Sequence, residues 1–145
     1  MPDAEHIPLK AYKNMNAYKL FVLDVGLLGA MSELPAESIL EGNDIFVEFK
    51  GALTEQYVLQ QLISDTPYTP YYYGNEKATF EQDFLIQKAK SIVPIEVKVE
   101  QNIRSHSLKT YCEKFQPEEA VRFSTLKYKE QEWMVNIPLY AVCNL

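Results

Sequence analysis

Cysteine and histidine are scarce in this 145-residue chain, and each scarcity closes a class of chemistry. Cys112 and Cys143 are the only cysteines, and neither stands in a C-x-x-C or zinc-ligand spacing. A disulfide framework and a structural zinc site are therefore excluded, and a reduced, cytoplasmic setting is expected. His6 lies in a polar opening segment and His106 near an expected helix start, so Ser-His-Asp or Cys-His catalysis has little to stand on. No G-x-x-x-x-G-K-[ST] occurs, which leaves no P-loop for ATP. The longest apolar runs, Leu20–Leu23 and Val25–Met31, are separated by Asp24 and fall far below the roughly 18 residues of a membrane span. Pro2-Asp3-Ala4-Glu5 does not open a signal peptide, and no membrane association is expected. Repeats, low-complexity tracts and Gly/Ser linkers are also missing.

What is present suits one globular domain. Hydrophobic residues make up 47% of the chain, enough to bury a core at this length. Residues 1–16 read as a polar connecting tail, and 17–145 as a single domain. The formal net charge of −6 argues against a nucleic-acid partner, but it is unevenly spread. Residues 1–87 carry −8 and residues 88–145 carry +2, so the second half can line a groove for a polyanion or simply be solvated.

Tyr18–Leu23 reads as a short strand, followed by a helix through Met31 that Asp24 caps by accepting a free backbone N–H. Glu33–Asp44 is loop or short helix. In Gly51–Ser64 apolar residues recur at Ala52, Val58, Leu59, Leu62 and Ile63, which is helical spacing, with Gln56, Gln60 and Gln61 at more polar positions. Glu55, three residues after Ala52 and four before Leu59, falls on the apolar face, where a carboxylate requires a cation, a donor or a wet cleft. A tyrosine-rich strand follows Pro67 and ends at Gly74-Asn75. Thr79–Gln87 and Ser91–Glu100 are strands joined by a turn at Ala89-Lys90. Helical spacing returns at Leu108, Tyr111, Cys112 and Phe115 behind Ser107 as N-cap, and Pro117 stops it. Ala120–Ser124 and Trp133–Val142 are further strands, the latter limited by Pro138 to an edge or two pieces.

The stretch DFLIQKAKSIVPIEVKV, Asp83 to Val99, places charges inside two apolar strands. Alternation points Ile95, Val97 and Val99 one way and Glu96 and Lys98 the other. Antiparallel pairing brings Asp83 alongside the Glu96–Lys98 strand, with Glu55 reaching in from the helix before. Taken alone, Glu96-x-Lys98 is also what a solvated sheet face looks like. Together, the oxygens of Asp83 and Glu96 suit Mg²⁺, which takes one or two carboxylates and completes its shell with water and phosphate. Lys98, one strand period from Glu96, is placed to act on an attacking water or on phosphate charge. Ser105, His106 and Ser107 follow closely enough to border this cleft. Tyr68, Tyr71, Tyr72 and Tyr73 can stack on bases or pack within their strand.

A helix with Glu55, a strand with Asp83, a strand with Glu96-x-Lys98 and then a helix resemble the PD-(D/E)xK phosphodiesterase superfamily, the restriction-endonuclease-like fold. A further resemblance spans nearly the whole chain. Tyr18-Lys19-Leu20-Phe21-Val22-Leu23-Asp24-Val25-Gly26-Leu27-Leu28, Lys50-Gly51-Ala52 leading to Glu55, Glu81-Gln82-Asp83-Phe84-Leu85-Ile86 and Pro94-Ile95-Glu96-Val97-Lys98 look like the uncharacterised C-terminal domain attached to predicted prokaryotic AAA+ family ATPases. The resemblance implies an α/β fold with a restriction-endonuclease-like three-layer core, a mixed central sheet flanked by helices. It implies Asp83 and Glu96 as metal positions, Lys98 as catalytic with Glu55 the helical acid, and Mg²⁺ or Mn²⁺ as cofactor. Glu81 fits the smaller family's pattern of two acids flanking a usually apolar residue; Gln82 departs from it. Ser105 and Ser107 join Glu81 as outer positions. The ATPase domain normally shares the polypeptide, so the chain reads as an excised C-terminal domain whose first residues end an interdomain connection.

Two functions follow as expectations. One is a Mg²⁺-dependent nuclease; the other is a non-catalytic module for nucleic-acid binding or for protein interaction and assembly of the ATPase.

Overall fold

The computed structural model describes residues 6–35, 37, 44–74, 80–99 and 105–145, and of 44–48 the backbone alone. Asn75, Thr79, Glu100 and most of Glu33–Asp44, on which sequence expectations fall, lie outside the described residues.

Helix α1 covers Val25–Met31. Asp24 starts it as expected, its Oδ1 accepting the Leu27 N–H at 2.8 Å. Helix α2 runs from Asp44 to Asp65, longer than the apolar spacing alone requires. Its inward face is Gln56, Val58 and Leu62, while Ile63 is 63% exposed and Ala52 also faces out. The apolar stripe read from the sequence is thus rotated toward a buried glutamine.

That glutamine explains a second departure. Tyr18–Leu23, expected as a strand, joins no sheet. The Gln56 carboxamide instead supplies a strand-like partner, accepting the Val22 N–H at 3.1 Å and donating to the Val22 carbonyl at 3.0 Å. Gln60 accepts the Val25 N–H at 3.2 Å, so α2 side chains pin the whole segment. Tyr18, Leu20 and Leu23 stay outside the core, more than 70% exposed, whereas Phe21 packs against it with its ring 5.9 Å from that of Phe84.

Six strands follow among the described residues: β1 Tyr71–Tyr73, β2 Gln82–Lys88, β3 Ser91–Lys98, β4 Val121–Ser124, β5 Lys129–Glu130 and β6 Val135–Pro138. They form one mixed sheet in the order β1-β2-β3-β4-β6-β5. The β2–β3 hairpin turns at Ala89-Lys90, with Ala89 at φ 50°, and its register runs from Lys88↔Ser91 to Phe84↔Ile95. β3, β4 and β6 are parallel. Helix α3, His106–Phe115, makes the β3–β4 crossover that a parallel pair requires. Ser105 rather than Ser107 holds its N-cap position, and Gln116 closes it at φ 47°. Pro94 lacks an N–H in an interior strand, yet it sits one residue before β4 begins to pair at Ile95↔Val121, so no β3–β4 bond is forfeited. Pro138 ends β6, and Leu139–Asn144 turns into a 3-10 helix, which divides the expected last strand.

Alternation gives the sheet two packed faces. Phe84, Ile86, Val93, Ile95, Val121 and Phe123 meet Val58 and Leu62 of α2 and Val142. On the other face Leu85 packs with Leu9, Tyr73, Phe80 and Tyr111 of α3, and Leu108 with Ala120 and Met134. The result is a helix–sheet–helix arrangement with about 1.5–3 kcal/mol from each fully buried large apolar side chain. No helix among the described residues is long and apolar enough to cross a membrane.

Candidate functional site

The charges cluster where β2 begins and β3 ends. The β2–β3 ladder pairs as far as Phe84↔Ile95; continued, it sets Asp83 opposite Glu96 and Glu81 opposite Lys98, on the face turned away from α2. At this point the Val97 N–H donates to Asp83 Oδ2 at 2.7 Å, so a carboxylate occupies the place where the ladder would continue. One Asp83 oxygen is thereby fixed by backbone.

Glu96 is 3% exposed. Its Oε1 stands 3.4 Å from Lys98 Nζ, two residues on along the same face. Its Oε2 is buried with no hydrogen-bond partner among the described residues. Burial pushes the Glu96 carboxyl above its ordinary range, and the Asp83 charge adds to this, while hydrogen bonding from Ser105 and the Lys98 charge oppose it. Burial raises Asp83 as well, against the Val97 N–H and the charges of Lys19 and Lys98.

Glu55 projects toward the same end from α2 and is raised chiefly by burial, with the charges of Asp83 and Glu81 contributing. Its counter-ion is Lys19, whose Nζ bonds Glu55 Oε1 and whose charge also reaches Asp83. Lys19 was not singled out in the sequence. The signal was there: a lone cation in the apolar run Tyr18–Leu23, the same kind of anomaly that marks Glu96 and Lys98. Gln56 and Gln60, which clamp the backbone around it, are what bring it to Glu55.

A second missed group is Arg122. Parallel register aligns Glu96 with Arg122 on β4, and Arg122 with Asn136 on β6, so a polar row crosses the sheet beneath α3. Arg122 is 5% exposed; its Nε donates to Asn136 Oδ1 at 2.9 Å and a terminal nitrogen to Ser105 Oγ at 3.3 Å. Ser124 Oγ also donates to Asn136 Oδ1 at 2.7 Å, and Asn136 Nδ2 donates to the carbonyl of Lys127 at 3.0 Å. Burial lowers the Arg122 pKa while the Glu96 charge raises it. Ser105 therefore links Arg122 to Glu96, a positional role the sequence hinted at only by proximity.

Glu81 is exposed and acts on Asp83 and Glu55 through its charge. Gly74 makes room for it, because a Cβ there would stand 3.2 Å from the Glu81 Cγ. Ser107 and His106 lie in the first turn of α3, His106 exposed. Of the four tyrosines, Tyr73 is buried and stacks on Phe80 at 5.7 Å, and Tyr71 packs beside it, whereas Tyr68 and Tyr72 are partly open.

Among the described residues no three His, Cys, Asp or Glu side chains form a ready-made metal cluster. The donor set at the sheet end is a buried carboxylate, Glu96, and a half-buried one, Asp83, with the backbone carbonyl of Val97 nearby. That set lacks the nitrogen and sulfur ligands of a zinc site and suits a hard cation that keeps water and phosphate in its shell. Glu96 Oε2, buried and unpartnered, is the oxygen such a cation would satisfy.

A family model described as Domain of unknown function (DUF4143) matches residues 50–141, which include Glu55, Asp83, Glu96 and Lys98. Among curated proteins none matches the chain.

Proposed function

We propose, from the premise that this chain belongs to the family described as Domain of unknown function (DUF4143), that its domain carries a PD-(D/E)xK-type site for Mg²⁺- or Mn²⁺-dependent hydrolysis of phosphodiesters in nucleic acid. The observation that carries the reading is the buried, unpartnered Glu96 oxygen beside Asp83 and Lys98 at one end of the sheet. A bound Mg²⁺ supplies charge neutralisation at the scissile phosphate and acidifies water.

The chain's own residues have distinct parts in this scheme. Asp83 and Glu96 would hold the cation, with one Asp83 oxygen fixed by the Val97 N–H. Lys98 Nζ, held near Glu96, orients the attacking water or takes up charge on the phosphate. Glu55, paired with Lys19, would serve the outer shell or a second cation. Because burial raises all three carboxyls, protons compete for the same oxygens, and the site becomes competent as pH rises. Glu81, Ser105 and Ser107 are outer residues; of these Ser105 positions Glu96.

The test is incubation of the purified domain with mixed DNA and RNA in Mg²⁺ or Mn²⁺, beside Asp83→Ala and Lys98→Ala. Cleavage by the wild type that both substitutions abolish supports the reading; equal activity in all three marks a contaminant and refutes it.

A second reading has its own observation. Tyr18, Leu20 and Leu23 present apolar side chains to solvent at 73%, 83% and 84% exposure along one pinned segment. Such a row fits a protein interface, and an AAA+ ATPase domain of the same polypeptide is the partner it would serve. On this reading the domain is an assembly or nucleic-acid-binding module without cleavage.

A further inference from the structure

A groove of about 700 Å³ lies between residues 13–21, the end of α2 and the Thr66–Tyr72 segment. Its floor is apolar, with Phe21, Leu59 and Phe84, and its walls include Tyr18, Tyr68 and Tyr72. Lys13 and Lys19 supply positive charge. Lys19 belongs both to this groove and to the acid cluster, since its ammonium bonds Glu55. Phe84, on the floor, faces α2 while Asp83 before it faces the other side of the sheet, so Lys19, whose charge also reaches Asp83, is what joins the groove to the acids.

We propose that this groove binds single-stranded nucleic acid and feeds it to the acidic sheet end. The inference rests on the phosphodiesterase reading of that site. Aromatic faces beside a few cations are what a single strand uses, because every base has a face to stack and the backbone needs only scattered positive charge. A duplex hides its base faces and presents a dense phosphate array, which a chain of net charge −6 with two lysines here does not match. Tyr18 and Tyr72 are the rings best placed to take bases. Tyr18 is 73% exposed, and neither ring is part of a core cluster, whereas Tyr68 packs against the α2 core and already has Lys88 Nζ 5.9 Å from its ring centroid.

The experiment is fluorescence anisotropy with labelled oligo(dT), oligo(rU) and a DNA duplex in EDTA, where cleavage is silent. Wild-type protein is expected to bind the single strands and to bind the duplex at least tenfold more weakly. Tyr18→Ala and Tyr72→Ala each weaken single-strand binding roughly 5- to 150-fold, the loss of one stacked base, and Tyr72→Phe restores it. Lys13→Ala flattens the salt dependence by about 0.7 in the slope of log affinity on log salt. Circular dichroism melts of each variant separate lost binding from lost folding. Equal affinity for duplex and single strand, or unaltered affinity in folded Tyr18→Ala and Tyr72→Ala, overturns the proposal. The two readings fail separately. An inactive site leaves tyrosine-dependent binding intact, and a wrong groove leaves cleavage that still requires Asp83 and Lys98.

Discussion

Replacing Gln56 by Ala tests whether one buried carboxamide holds the Lys19 segment on the domain. Gln56 is 2% exposed and bonds Val22 through both its oxygen and its nitrogen, at 3.1 and 3.0 Å. Two neutral hydrogen bonds are worth about 0.5–1.5 kcal/mol net each, so their loss costs roughly 1–3 kcal/mol. The helix itself does not mask this, since Ala is at least as good a helix former as Gln. The expected drop in the thermal midpoint is about 2–4 °C per kcal/mol for a domain of this size. Hydrogen exchange reads the local effect directly: the Val22 amide should exchange roughly 5- to 150-fold faster, while amides in β3 and β4 follow only the global change. Gln56→Glu at neutral pH buries a carboxylate against the Val22 carbonyl and should lose at least as much as Gln56→Ala. A Gln56→Ala protein with an unaltered midpoint and an unaltered Val22 exchange rate would refute the reasoning.

Other expectations follow from the carboxylates and the thiols. Asp83→Asn keeps an acceptor for Val97 but removes a buried charge whose pKa is raised in the fold. The raised pKa means the wild type is favoured below the ordinary carboxylate range, near pH 4, and loses that stabilisation as pH rises through the folded value. Urea melts from pH 4 to 8 should therefore find Asp83→Asn more stable than wild type at neutral pH and the difference gone near pH 4; the opposite order at pH 7 would sink the idea. Mn²⁺ at a hundredfold excess over its dissociation constant should stabilise the wild type by about 2.7 kcal/mol, and a thermal shift equally large in Asp83→Ala would mean the ion binds elsewhere. Burial pushes the half-buried Cys112 thiol up to about 11 while Cys143 is exposed. Iodoacetamide at pH 8 should thus label Cys143 and spare Cys112 in the native protein; equal labelling would contradict the packing.

The sequence carried those features that depend on local order. Asp24 as a cap, the Ala89-Lys90 turn and the alternation of Ile95, Glu96, Val97 and Lys98 are written in consecutive residues, and all three are found. So is the three-layer mixed α/β architecture, although its parallel half depends on a crossover that spacing alone does not orient. What escaped is contact between distant elements. Gln56 reads as polar surface because its partners are backbone atoms thirty-four residues earlier, and the same pairing keeps Tyr18–Leu23 out of the sheet. Lys19 and Arg122 became visible only when that segment and the β4 register were known, since Lys19 meets Glu55, and Arg122 comes alongside Glu96, through tertiary geometry.

Arg122 also bears on whether the acids are there for the fold alone. The β3–β4 register aligns this buried guanidinium with a buried carboxylate, so closing an Arg122–Glu96 pair would neutralise both. The described contacts do not take that course. Arg122 donates to Asn136 and Ser105, and no Glu96 oxygen lies within ion-pair distance of it. Glu96 faces Lys98 with one oxygen and leaves the other buried without a partner among the described residues, an arrangement that costs about 1–3 kcal/mol or more for a charged group. Asp83 and Glu55 add like charge close by, and each is made harder to ionise by its own burial. The Glu96 oxygen left buried and unpartnered among the described residues is therefore the feature on which the proposed cation site stands or falls.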